Sequence, residues 1–149
     1  MYYIFESILV GMYSLLIYVC FNFVKVNATI KIFMVGFIKH LLGYLLNIHT
    51  YYCNNGYACL KYQKQLHYDN VLQMNPHRGK KVAKISITSL VVESGFEGCL
   101  FVMLNIFLLK FKLKNNYIRI FLLGVMLHII FEFLQLHIYF CKRCVSIRV

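Results

Sequence analysis

Residues 32–53 read IFMVGFIKHLLGYLLNIHTYYC, and residues 120–141 read IFLLGVMLHIIFEFLQLHIYFC. Laid side by side without a gap, they share Ile32/Ile120, Phe33/Phe121, Gly36/Gly124, His40/His128, Leu46/Leu134, His49/His137, Tyr51/Tyr139 and Cys53/Cys141, at a constant spacing of 88. A shorter echo precedes each copy, because Glu6-Ser7-x3-Gly11 returns as Glu93-Ser94-x3-Gly98 at a spacing of 87. This many matches in register within one short chain indicate an internal duplication, and two related halves are expected to face the same way.

Outward from these copies the chain is strongly apolar. Of its 149 residues 60% are hydrophobic, one is proline, and the mean hydropathy is positive. Four windows, roughly 2–24, 29–50, 86–109 and 116–140, approach the ~20 residues needed to cross a bilayer core. Backbone polar groups in lipid must be satisfied within the segment, and the windows lack the alternation of barrel strands, so helices are the expected form. A water-soluble bundle would need a polar stripe on each helix, whereas Ile8 to Phe23 and Leu100 to Leu109 are apolar nearly all round. The expectation is an all-α, integral membrane four-helix bundle of two tandem helical hairpins in parallel orientation. With no basic n-region or small-residue cleavage site, the first window reads as a retained anchor.

Three segments follow. Residues 1–59 form a first hairpin with a trailing cysteine pair, 60–85 a basic polar linker, and 86–149 a second hairpin with its own trailing pair. An even number of crossings puts both termini on one face with the linker. That face carries Lys61, Lys64, Arg78, Lys80, Lys81, Lys84, Lys142, Arg143 and Arg148, against Lys25, Lys31, Lys110, Lys112, Lys114 and Arg119 at the hairpin turns. Nine against six favours cytosolic termini. Asn27-Ala28-Thr29 fits the glycosylation pattern, but it lies close to the lipid. The net charge of +11 suits association with anionic headgroups. No nucleic-acid module accompanies it, so no nucleic-acid partner is expected.

Four of the five carboxylates, Glu6, Glu93, Glu97 and Glu132, fall in or beside the windows and in the same membrane half. Gly124, His128, Glu132 and Gln135 follow at helical spacing along one stripe, and Gly36, His40, Tyr44 and Asn47 repeat it. Small residues let helices approach closely, and the polar ones bond across the interface. Lys39 is the basic residue deepest in a window, and an ammonium there needs a partner, with Glu132 and Glu97 the nearest in kind. Lys39, His40, Glu97, His128 and Glu132 thus form a candidate intramembrane polar cluster. Its plain role is holding helices in register, and its sharper role is a proton or ion path. Matched histidines alone do not make a haem site.

Cys20 and Cys99 read as small apolar residues. Cys53 and Cys59 follow the second window, and Cys141 and Cys144 follow the fourth, on one face. Three readings stand: a disulfide within each half, a redox pair, or a metal site with His49 and His137, each four residues before a cysteine. Each half offers three such ligands where a structural zinc site wants four, and no cofactor-binding signature appears. The rings of His49, Tyr51, Tyr52, His137, Tyr139 and Phe140 also suit the membrane interface.

Glu6-Ser7-x3-Gly11, Gly36-x3-His40 and His128-x3-Glu132-x4-His137-x-Tyr139-Phe140-Cys141 together resemble short multispanning membrane proteins of the nucleocytoplasmic large DNA viruses of algae and amoebae. The likeness covers most of the chain outside the linker. It departs at Tyr44, which stands where the second copy has Glu132. The resemblance implies a component of a virion inner membrane or of host endoplasmic-reticulum-derived membrane. The leading expectation is a non-enzymatic structural or assembly protein whose basic loops meet lipid headgroups, a capsid partner or another membrane protein. Next come a membrane thiol-disulfide oxidoreductase and then a small proton or ion conductor.

Overall fold

The computed structural model describes residues 2–69, 86–111, 113–137 and 141. Among them the chain is all helical, with α1 (Tyr2–Cys20), α2 (Ala28–Leu45), α3 (Ile48–Asn55), α4 (Tyr57–Asp69), α5 (Ile87–Leu109) and α6 (Asn116–Phe133). Four of these, α1, α2, α5 and α6, are long and apolar enough to cross a membrane, as expected of an integral membrane protein. Their outward faces carry exposed Phe5, Leu9, Leu16, Val92, Phe96 and Met103, which suits hydrocarbon and would be anomalous in water.

Asparagine and serine start three of these helices by satisfying orphan backbone donors. Asn27 accepts from the Thr29 N–H at 3.0 Å, Ser86 from Ser89 at 3.1 Å, and Asn115 from Tyr117 at 2.9 Å. At their other ends α2 and α6 stop in the same way. Asn47 and Gln135, 88 residues apart in sequence, both take φ 57°, and the chain then turns into a new helical segment. Asparagine enters this left-handed region at modest cost, glutamine at more. The polar stripes expected to run through Asn47 and Gln135 therefore end one turn earlier.

α1 packs chiefly against α6, and α2 against α5. Glycines decide how closely. A Cβ at Gly11 would meet Phe121 and Val125 at 2.9 and 2.6 Å, and one at Gly98 would meet Phe33 at 2.8 Å. At Gly124 it would lie 2.9 Å from the Gly11 Cα, and at Gly36 2.9 Å from the Phe101 ring. Ser7 and Ser14 complete the close α1 surface by donating their hydroxyls to Tyr3 O and Val10 O one turn back, at 2.8 and 2.9 Å. Toward the hairpin turns the interior is mostly apolar, with Ile17, Tyr18, Ile32, Leu108 and Ile120 buried and Asn105 the polar exception on α5.

Two segment boundaries differ from expectation. The second and fourth windows stay in one helix only to Leu45 and Phe133, because the left-handed residues break them. The expected linker of 60–85 begins inside a helix, α4, since Leu60-Lys61-Tyr62-Gln63-Lys64 contains good helix formers and no breaker. Gln63 then ties α4 to α3 by donating to Cys53 O at 3.1 Å. Linker residues 70–85, Lys112, and Cys144 with the basic residues Lys142, Arg143 and Arg148 lie outside the described residues.

Candidate functional site

The left-handed turns after α2 and α6 fold His49 and His137 back toward the histidines one helix earlier. The His40 and His49 rings lie 4.9 Å apart, and the His128 and His137 rings 4.6 Å apart. Each imidazole pair faces glutamates, so two acid and histidine clusters form at the end of the bundle nearest α3 and α4.

The first cluster joins α2, α3 and α5. Lys39 pairs with Glu97 Oε1, while His40 Nδ1 donates to Glu97 Oε2 at 2.8 Å. Glu97 rather than Glu132 is therefore the partner of the deep lysine. Glu97 is buried and Lys39 largely so, and each carboxylate oxygen has a charge-assisted bond, the condition under which a low-dielectric ion pair persists. On the far side of the imidazole, His40 Nε2 faces Glu93 at 3.6 Å. Burial, and His40 beside it, pull the His49 imidazole down to about 4, so it stays neutral near pH 7.

The second cluster joins α1, α6 and the segments beyond α2 and α6. His137 Nδ1 donates to Glu132 Oε2 at 2.9 Å, so its proton sits on Nδ1. His128 Nε2 lies 3.8 Å from Glu6 Oε2, too far for a hydrogen bond, and neither buried atom has a hydrogen-bond partner. The other Glu6 oxygen accepts the Tyr57 N–H at 2.8 Å, at the start of α4. Tyr52 lies against both rings, 6.2 Å from His128 and 5.4 Å from His137. Burial pushes its hydroxyl pKa up, with Glu6 and Glu132 adding to the effect, so it remains a proton donor. Burial lowers His137, and its bond to Glu132 offsets part of that.

The five expected cluster residues thus divide, with Lys39, His40 and Glu97 in the first group and His128 and Glu132 in the second. Glu6 and Glu93 complete the groups. They occupy matching places in the sequence echo, which is the signal that marks them. The inward swing of His49 and His137 depends on left-handed backbone that no sequence pattern announced.

Disulfide pairing differs from the within-half expectation. Cys59 joins Cys141 across 82 residues, with a Cα separation of 5.1 Å, and both are buried at 0% and 1% exposure. Cys53 is also disulfide-bonded, while Cys20 and Cys99 are free thiols. The crossed pairing follows from α3 and α4 folding over the end of α6, where Ala58, Cys59 and Cys141 pack with Tyr52 and Tyr62. A disulfide sulfur is not a thiolate ligand, so the metal reading built on His49 or His137 with Cys53 and Cys141 does not fit this arrangement. Among the described residues, no three histidine, cysteine or acidic side chains already converge as a metal site.

Comparison of the chain with protein-family models, curated proteins and solved structures returns no match.

Proposed function

We propose that this is a non-enzymatic structural or assembly protein of a membrane. In this reading its two halves are tandem hairpins of like orientation, clamped into one rigid body, and its basic loops engage anionic headgroups or a capsid or membrane partner. The observation that carries it is the buried Cys59–Cys141 bond linking the halves. A disulfide shielded from attacking thiolates serves as a staple, whereas exchange chemistry needs an accessible sulfur. The viral likeness of the sequence supplies the setting, a virion inner membrane or host endoplasmic-reticulum-derived membrane.

The same bond bears on orientation. Disulfides persist in oxidising compartments, so the face of α3 and α4 is assigned to the lumen or exterior. The hairpin-turn face, with Lys25, Lys31, Lys110, Lys114 and Arg119 close to the spans, is then cytosolic. This reverses the count of nine against six, a small bias beside the redox requirement.

In sealed endoplasmic-reticulum vesicles, an impermeant maleimide is expected to label Lys114→Cys at once and Lys61→Cys only after permeabilisation. The reverse pattern contradicts the orientation. Rapid mixed-disulfide formation between Cys59 or Cys141 and a reduced client, lost in Cys141→Ser, favours the oxidoreductase over the structural role. The conductor reading rests on the ionisable clusters, but a path must also cross the apolar layer of Ile17, Ile32, Leu108 and Ile120.

A further inference from the structure

The bundle surface between α2 and α5 is not flush. Thr29, Ile30 and Phe33 of α2 and Cys99, Val102 and Met103 of α5 line an outward-open groove of about 450 Å³. Apart from the Thr29 hydroxyl and two sulfurs its side chains are hydrocarbon, so a polar ligand finds almost nothing to bond there. The groove lies toward the hairpin turns, since α2 starts at Ala28 and α5 ends at Leu109. Beyond it on α5 comes a cation. Cys99, Met103, Ile106 and Lys110 follow at spacings of four, three and four, a single helical stripe, and all four are exposed. Lys110 keeps helical backbone as the α5 C-cap, so it stands about 10 Å along the axis from Met103. Neither hairpin turn, 21–27 or 110–115, holds an acidic residue.

The α1–α6 interface, which the duplicated sequence matches to this one position for position, lacks both features. At spacings of 88 and 87, Thr29 corresponds to Tyr117, Cys99 to Met12 and Val102 to Leu15, each bulkier, and Lys110 corresponds to Phe23. Hollow and ammonium thus occur together, at one of the two interfaces. We propose that the groove seats one acyl chain of an anionic phospholipid from the surrounding leaflet, with the lipid's phosphate at Lys110. An apolar hollow on the hydrocarbon-facing side of a spanning bundle is filled by what surrounds it, and a lysine stem lies along apolar surface while its ammonium reaches headgroup depth. The turns select the lipid's net charge. A zwitterionic headgroup brings a further cation to the face that carries Lys25, Lys110 and Lys114, whereas an anionic one is attracted to each. This rests on the reading that the basic loops engage anionic headgroups, and it names where one such lipid is held.

The test uses the full-length wild-type protein in nanodiscs of phosphatidylcholine, alone or mixed in equal parts with phosphatidylglycerol of the same acyl chains. Cys99 is a built-in reporter of the groove, and Cys20, also a free thiol, is its control. A membrane-permeant maleimide is expected to alkylate Cys99 several-fold more slowly in the mixed discs than in phosphatidylcholine alone, with Cys20 unchanged. Native mass spectrometry is expected to find one phosphatidylglycerol retained per chain. Lys110→Gln is expected to cut that preference about fivefold, and Cys99→Phe, which fills the groove, to remove the retained lipid while the Cys59–Cys141 bond still forms. Equal Cys99 rates in both discs, retention indifferent to both variants, or a second copy of the chain in place of lipid overturns the proposal. If phosphatidylglycerol is still enriched around the chain in that event, the basic loops keep their role without this site; if no enrichment occurs, that reading falls as well.

Discussion

Lys39 on α2 and Glu97 on α5 form an ion pair inside the membrane-spanning part of the bundle, and His40 bonds the second oxygen of the same carboxylate. Removing one partner strands the other charge in low dielectric. Glu97→Gln is expected to destabilise the bundle by roughly 3–5 kcal/mol, and Lys39→Met similarly. The Lys39→Met/Glu97→Leu double variant is expected to recover most of that loss. Thermal unfolding in detergent, followed by circular dichroism, measures all three, and additive single effects would contradict the pairing.

Close approach of α1 to α6 and of α2 to α5 rests on glycine. Gly36→Ala puts a methyl 2.9 Å from the Phe101 ring, and Gly124→Ala puts one 2.5 Å from Ser14 Oγ. Each is expected to cost about 1–3 kcal/mol by overpacking. Gly95, where an added Cβ meets nothing within 4 Å, is the control, and its alanine variant is expected to leave the melting temperature unchanged or raise it slightly.

Acidification acts on His49. Its imidazole is held down to about 4, against about 6.5 when unfolded. Between those values the unfolded chain binds a proton that the folded chain refuses, so stability falls as pH drops through the window. The accumulated loss is roughly 3 kcal/mol near pH 4 and vanishes above about pH 7. His49→Gln is expected to flatten this part of the stability profile, and an unchanged slope would show that other groups set it.

Much of the architecture was legible because lipid imposes strict rules. Backbone satisfaction and span length identify α1, α2, α5 and α6 from apolar runs alone. The duplicated Gly-x3-His element and the Glu-Ser echo also mark the helix surfaces that meet, since Gly11, Gly36, Gly98 and Gly124 all lie at the two main interfaces. What escaped the sequence is what tertiary context decides. Nothing local in Leu134-Gln135-Leu136 signals a positive φ, so the folding back of His137, and with it the second cluster, was not visible. The cysteine spacing suggested bonds within each half because near neighbours close small loops. The observed partner of Cys59 is instead the residue that α4 covers, 82 positions away.

The central claim, that α3 and α4 close over the end of α6 and staple the halves together, is tested by disulfide mapping. Membranes are quenched with an alkylating reagent before solubilisation, digested without reductant and read by mass spectrometry. The account predicts a cross-linked pair of peptides containing Cys59 and Cys141, with Cys20 and Cys99 recovered alkylated. Recovery of Cys53 bonded to Cys59 and of Cys141 bonded to Cys144, or alkylation of all six cysteines, would contradict it.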